Sequence, residues 1–374
     1  MPFITRLPAL LLFVLSTCGL CLAQTEFRQA AVGDGSTEER DLVLGAAQTA
    51  DAAQRVTLLD GFVSQNPDSA YRPYALYNIL ISGKDAGRHE KTLEAGLQLL
   101  EWAPNDLEVR HRINEAYVGL ERWDELAPSI DLSKPVAKVQ ATQDGFPGEY
   151  ASGVLDWLAW ASNVAYLGEA DPAKKIAWLE RIRIEYPESE YAQDMYPRYI
   201  QSYQQAGDRA SSLAWMQKSI EAGADDESYR YTLAEEDLGR QDFDAALEHA
   251  ERALEILETK QSPAGMSAEQ WEQYKTKMTA YANFVTGRAW VGRDSKDAYR
   301  TGRTYLLETV DVLKAEGGER YNLLAYYLGI CYAQLDVKGD SVQQALQWMT
   351  EAANSPGPVQ EQARQALAKL QAAI

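Results

Sequence analysis

Cysteine and histidine are scarce, with three of each in 374 residues. Cys18 and Cys21 fall in the first 23 residues, so a chain that loses that segment keeps Cys331 alone and forms no internal disulfide. His89, His111 and His249 stand in separate stretches, and no two are close enough in sequence to form a chelating pair. The chain also lacks a Gly-rich loop ending in Gly-Lys-Ser/Thr, a Gly-x-Ser-x-Gly elbow and a His-Glu-x-x-His helix. Asp336 to Asp340 has the start of a calcium loop, but Gln347 stands where a carboxylate must close it and Lys338 repels the ion. The adjacent acids Asp225-Asp226 and Glu235-Glu236 point about 100° apart on a helix, so neither pair makes an acid–base dyad. No catalysis, no metal and no cofactor is therefore expected. Positive charge is short as well. With 36 basic against 55 acidic residues the net charge is −19, which excludes the basic footprint needed for nucleic acid or an anionic membrane.

Long apolar runs are confined to the N-terminus. Arg6 precedes the run LPALLLFVLSTCGL, and Cys21-Leu22-Ala23 comes before Gln24. This is the layout of a secretory signal peptide over residues 1–23, cleaved after Ala23, and the run is shorter than the roughly 18–20 residues of a spanning helix. An uncleaved anchor is the alternative. Lipidation at Cys18 or Cys21 would need a small residue just before it, whereas Thr17 and Leu20 stand there. A soluble periplasmic or secreted protein is expected, with net charge −20 once Arg6 is removed and no strong membrane binding. Residues 24–36 are polar and read as a flexible leader.

What is present is helical periodicity, repeated. No segment alternates as a strand does. Glu227 to Glu258 shows the unit: Tyr231, Leu233, Ala234 and Leu238 on one helix, a break at Gly239-Arg240, then Ala246, Ala250, Ala253, Leu254 and Leu257 on a second. Small residues on both helices allow their backbones to approach closely. Such a pair cannot bury its own apolar faces and needs neighbours of the same kind. They are there. Turn signals at Asn66-Pro67 and Ala103-Pro104 lie 37 residues apart, and Asn163, Ile200 and Ala234 follow at intervals of 37 and 34. Further pairs are expected over 37–65, 71–103, 107–130, 154–187, 190–224, 268–315 and 321–353, with a capping helix near 359–373. Irregular insertions are expected near 131–152, where Pro135 and Gly145-Phe146-Pro147-Gly148 interrupt the pattern, and near 259–267.

The Leu233-Ala234 pair followed by Ala246, Ala250 and Ala253, together with Leu328, Gly329 and Tyr332 later, resembles the tetratricopeptide (TPR) repeat, whose period is about 34 residues. Asp237 replaces the family's aromatic and Glu258 its proline, so the copies are degenerate. The resemblance covers most of the chain beyond Thr37 and implies an all-α fold: an α-solenoid, a right-handed superhelix of stacked antiparallel helix pairs over 37–374. It also implies a concave groove lined by the first helix of each pair. Carried over by position, the lining is Glu108, His111 and Glu115; Trp157, Trp160, Val164 and Leu167; Asp194, Gln201 and Gln204; then Tyr231 and Glu235. The Lys/Asn clamp that some relatives use for C-terminal carboxylates is missing from these positions.

The implied function is an exported, non-catalytic scaffold or adaptor that binds a protein or peptide carrying basic and apolar residues. The Asn66-Pro67-Asp68-Ser69 ending also resembles repeats of cell-envelope assembly factors. Two other readings stay open: a carrier of an apolar ligand within the superhelix, and an enzyme with a cryptic site. Trp157 and Trp160 either form a binding patch or lie buried under the 131–152 insertion.

Overall fold

The computed structural model describes residues 28, 36–335 and 340–372; the expected signal segment and its cleavage point, most of the expected leader, and residues 336–339 and 373–374 lie outside the described residues. Among the described residues all regular structure is helical. The first helices are α1 (Thr37–Ala47), α2 (Ala52–Gln65), α3 (Arg72–Gly83), α4 (His89–Trp102), α5 (Leu107–Gly119), α6 (Trp123–Gln140), α7 (Phe146–Gly168), α8 (Pro172–Glu185) and α9 (Met195–Gln205). They are followed by α10 (Arg209–Glu221), α11 (Glu227–Gly239), α12 (Phe243–Thr259), α13 (Ala268–Gly292) and α14 (Lys296–Leu307). The last are α15 (Val310–Glu316), α16 (Gly318–Leu335), α17 (Asp340–Asn354) and α18 (Gln360–Ala372).

Local chemistry places most of these starts. Asp51, Asp106, Asp171, Asp208, Asp226 and Asp242 each accept a first-turn backbone N–H. Ser267 and Gln270 close a reciprocal capping box at the head of α13. Pro197, which the sequence predicts to kink or delay its helix, sits in the first turn of α9, where a missing N–H costs nothing.

The chain divides into two compact units at Gly207/Asp208. The boundary falls inside the pair expected over 190–224, so α9 belongs to the first unit and α10 to the second. Within the first unit each helix packs on the next, and α1, α3, α5 and α7 also touch in sequence, which sets the odd-numbered helices side by side. The second unit repeats this through α11 and α13. Its packing depends on the small residues noted above: Ala234, Ala246, Ala250 and Ala253 are all fully buried between α11, α12 and α13. Helices α13 and α14 approach backbone to backbone. A side chain on Gly302 would put its Cβ 2.8 Å from the Gly287 carbonyl oxygen, far inside van der Waals contact. Cys331 is fully buried in the core of this unit, and burial pushes its thiol up to about 12.

Two expectations are corrected. The segment 131–140 is helix, not inserted loop: α6 runs through both Pro128 and Pro135 to Gln140, and only 141–145 separates it from α7. Leu126, Ile130, Ser133 and Ala137 recur at helical spacing and are fully buried, and Asn114 donates to the Ser133 hydroxyl at 2.9 Å. Both prolines are exposed, as are Asp124 and Asp131, whose carbonyls lose their i+4 donors, so water can satisfy them. Packing outweighs the two lost bonds. The second correction is in the pair expected over 268–315, whose second helix, expected unbroken over about 296–315, is divided into α14 and α15 at Glu308-Thr309. The irregular stretch near 259–267 contains no regular helix from Lys260 to Ser267.

Candidate functional site

On α5 the residues Glu108, His111 and Glu115 are three and four apart, so they share one face. Trp157 and Trp160 share a face of α7 in the same way. Because α5 touches α7, the two faces meet. The Trp157 ring stands edge-on to His111, with centroids 4.7 Å apart and planes at 88°, and Trp160 follows at 5.6 Å from Trp157. Tyr150, one level down α7, also meets His111 edge-on at 6.3 Å. Both tryptophans are half-buried, so they do not lie sealed beneath the segment that precedes them.

Charge surrounds this aromatic seam. Glu115 accepts from Lys84 Nζ at 2.6 Å and from Arg112 at 2.7 Å, with His111 Nε2 at 3.9 Å. Glu108 accepts from the Tyr77 hydroxyl at 3.0 Å, across from α3. Burial first, and then the nearby Glu108 carboxylate, pushes the Tyr77 hydroxyl up to about 12, and the same two causes raise Tyr150. Burial pulls His111 down to about 4 against the attraction of Glu115, with Arg112 and Lys84 adding repulsion. Burial alone would raise Glu115, but the charges of His111, Arg112 and Lys84 outweigh it and hold its carboxyl below the ordinary range. Since His111 is neutral above about pH 4, Arg112 and Lys84 are the partners of Glu115 at neutral pH. His111 Nδ1 and the Tyr150 hydroxyl are shielded from solvent and have no hydrogen-bond partner among the described residues.

A pH dependence follows from His111. Its folded pKa lies below that of the unfolded chain, so the unfolded state binds the extra proton between about pH 6.5 and 4. The stability this residue contributes is complete above about pH 6.5 and is lost as pH falls toward about 4, at up to about 1.4 kcal/mol per pH unit. Urea unfolding of wild type and His111→Gln at pH 7 and pH 5 measures it. The variant should lose markedly less stability between those two values, and equal losses would contradict the assignment.

The remaining predicted lining residues are elsewhere. Asp194 has a left-handed backbone (φ 52°) just ahead of α9, and Gln201 and Gln204 are exposed on α9; no ring contact or hydrogen bond among the described residues joins them to the α5–α7 seam. Val164 is half-buried and Leu167 is 63% exposed. Tyr231 and Glu235 belong to the second unit. There Tyr231 stacks on Tyr281 at 5.6 Å, Glu235 pairs with Arg288 at 3.1 Å, and the Arg320 guanidinium lies 4.2 Å from the Tyr281 ring centre.

No family model matches the chain, and no curated protein matches it. Solved structures do. The yeast Tom70 structure shares 10% identity over 90% of this chain and 95% of that one, with a TM-score of 0.35. The TPR domain of P58(IPK) shares 13% over 90% of this chain and 97% of its own, with a TM-score of 0.30. TTC0263, a thermophilic TPR protein from Thermus thermophilus, shares 21% over 64% of this chain and 98% of its own, with a TM-score of 0.20. At these identities and TM-scores the likeness carries no conclusion about this chain, and the fold is read from its own helix packing. Within the first unit each helix packs on its successor and α1, α3, α5 and α7 lie side by side; in the second, α11 packs on α12, α12 on α13, α13 on α14 and α14 on α16. The fold is TPR-like.

In this TPR-like array sequence reasoning missed Tyr77, Lys84, Arg112 and Tyr150. Tyr77 reads as a core residue of α3, since nothing in its local sequence shows that its hydroxyl reaches Glu108. Tyr150 is hidden by the supposed insertion. Its interval of seven residues from Trp157 carries the signal once 146–168 is taken as one helix.

Proposed function

We propose that the protein is an exported, non-catalytic TPR-like scaffold that holds a protein or peptide partner on the α3–α5–α7 face of its first unit. The observation that carries this reading is the meeting of a half-buried tryptophan pair with a row of carboxylates on the neighbouring helix. Tryptophan supplies large contact area at low entropic cost, and Glu108 selects basic over acidic segments, while Glu115 is already paired with Lys84 and Arg112. A net charge of −19 favours the same partners. The partner is an extended segment with apolar and basic residues. A role in cell-envelope assembly is part of the proposal and is supported by the Asn66-Pro67-Asp68-Ser69 repeat ending.

Two measurements test it. N-terminal sequencing of protein taken from the envelope should begin at Gln24; a start at Met1, or at a lipid-bearing Cys21, contradicts soluble export. Cross-linking in the native envelope followed by capture should recover a protein through the wild-type chain. Equal recovery through the Trp157→Ala/Trp160→Ala variant would sink the groove assignment.

A further inference from the structure

Arg28, far upstream in sequence, has its side chain on the same face. One of its terminal nitrogens donates to both oxygens of Asp106 at 3.0 Å and to Glu108 at 2.8 Å. Its guanidinium lies 5.3 Å from the centre of the Tyr77 ring. The three side chains are almost closed to water, at 12% exposure for Arg28, 6% for Asp106 and 11% for Glu108. Arg28 is the sole basic residue between Gln24 and Ser36.

The receiving groups are held independently of Arg28. Asp106 is fixed as the cap of α5, accepting from Val109 N at 3.0 Å, and Glu108 is fixed by the Tyr77 hydroxyl. Two carboxylates and a tyrosine ring face form a preset cradle whose charge calls for a cation. The other two cations on α5 are engaged elsewhere, Arg110 donating to the Pro104 carbonyl at 2.8 Å and Arg112 paired with Glu115. The flat ring beneath favours a planar guanidinium over a compact ammonium. The cradle continues into the His111–Trp157 seam, where His111 Nδ1 and the Tyr150 hydroxyl remain without partners among the described residues.

We propose that Tyr77, Asp106 and Glu108 form an arginine-recognition pocket, and that the chain's own Arg28 fills it as an intramolecular competitor of a partner's arginine. This deepens the scaffold reading and rests on it for the existence of a partner. Cleavage after Ala23 would make Arg28 the fifth residue of the mature chain, so the competitor sits close to the new terminus. A partner segment must bring an arginine that displaces Arg28, which sets a threshold on which segments bind.

The test is calorimetric titration of the mature chain with acetyl-Ala-Arg-Ala-amide and with its lysine counterpart. Arg28→Ala should bind the arginine peptide at least tenfold more tightly than wild type, with a much smaller gain for lysine. Adding Glu108→Gln to Arg28→Ala should abolish the gain. An absent gain, or an equal gain for lysine, overturns the proposal. If circular dichroism shows Arg28→Ala unfolded, Arg28→Lys replaces it, with the same tight binding of the arginine peptide expected and its absence equally decisive. Loss of partner capture in Trp157→Ala/Trp160→Ala with no arginine gain would leave the scaffold standing and remove only this pocket. The converse would remove the tryptophan groove and keep the pocket.

Discussion

Replacing both Trp157 and Trp160 by alanine should weaken partner binding by about 100-fold, the scale of about 2–3 kcal/mol that truncation of central aromatic anchors costs. Stability should fall by less than a comparable core truncation. The two rings are half-buried, whereas the residues that hold α7 in the core (Leu158, Ala161 and Ala165) are fully buried on its adjoining face. The variant also carries an internal check. Trp157 covers one edge of His111, so its removal should hydrate the imidazole and move its pKa up from about 4 toward the ordinary value. NMR titration of His111 would show that shift. A loss of binding without it would mean that the α5–α7 contact differs from the one described.

The second large effect belongs to architecture. Gly302→Val should destabilise the second unit by about 3 kcal/mol or more, because the added atoms meet backbone and not a yielding side chain. The Cβ would fall 2.8 Å from the Gly287 carbonyl oxygen, 2.9 Å from Val291 Cγ2 and 3.3 Å from Trp290 Cβ, so α13 and α14 would have to separate. Gly61→Ala is the matched control: it lies within α2 with nothing inside 4 Å of the new Cβ, and should stabilise by up to about 1 kcal/mol through helix propensity. Urea unfolding of the two variants reads both signs. If Gly302→Val cost no more than an ordinary surface change, the close approach of α13 and α14 would be refuted.

The fold was legible wherever small residues recurred at a fixed interval. Ala234, Ala246 and Ala250 mark the α11–α12 pair because close packing permits no alternative there. Local breakers misled where packing overruled them. Pro135 reads as a break, yet Leu126, Ile130 and Ala137 keep the apolar stripe in register across it, and that stripe decides. At the site, the α5 and α7 positions could be inferred because a helix face follows from spacing. Their convergence could not, because it depends on α5 touching α7 across an intervening helix. Arg28 was hidden for a different reason: its partners Asp106 and Glu108 are remote in sequence, and a lone arginine in a polar stretch has no period to mark it.

The central claim, that the α5–α7 seam is where a protein partner sits, is tested most directly by a photo-cross-linking amino acid placed at position 160 in the native envelope. The same probe at Leu97, which is 48% exposed on α4, serves as the control. A discrete protein adduct is expected from position 160 and none from position 97. No adduct at 160, or matching adducts at both positions, would contradict the claim.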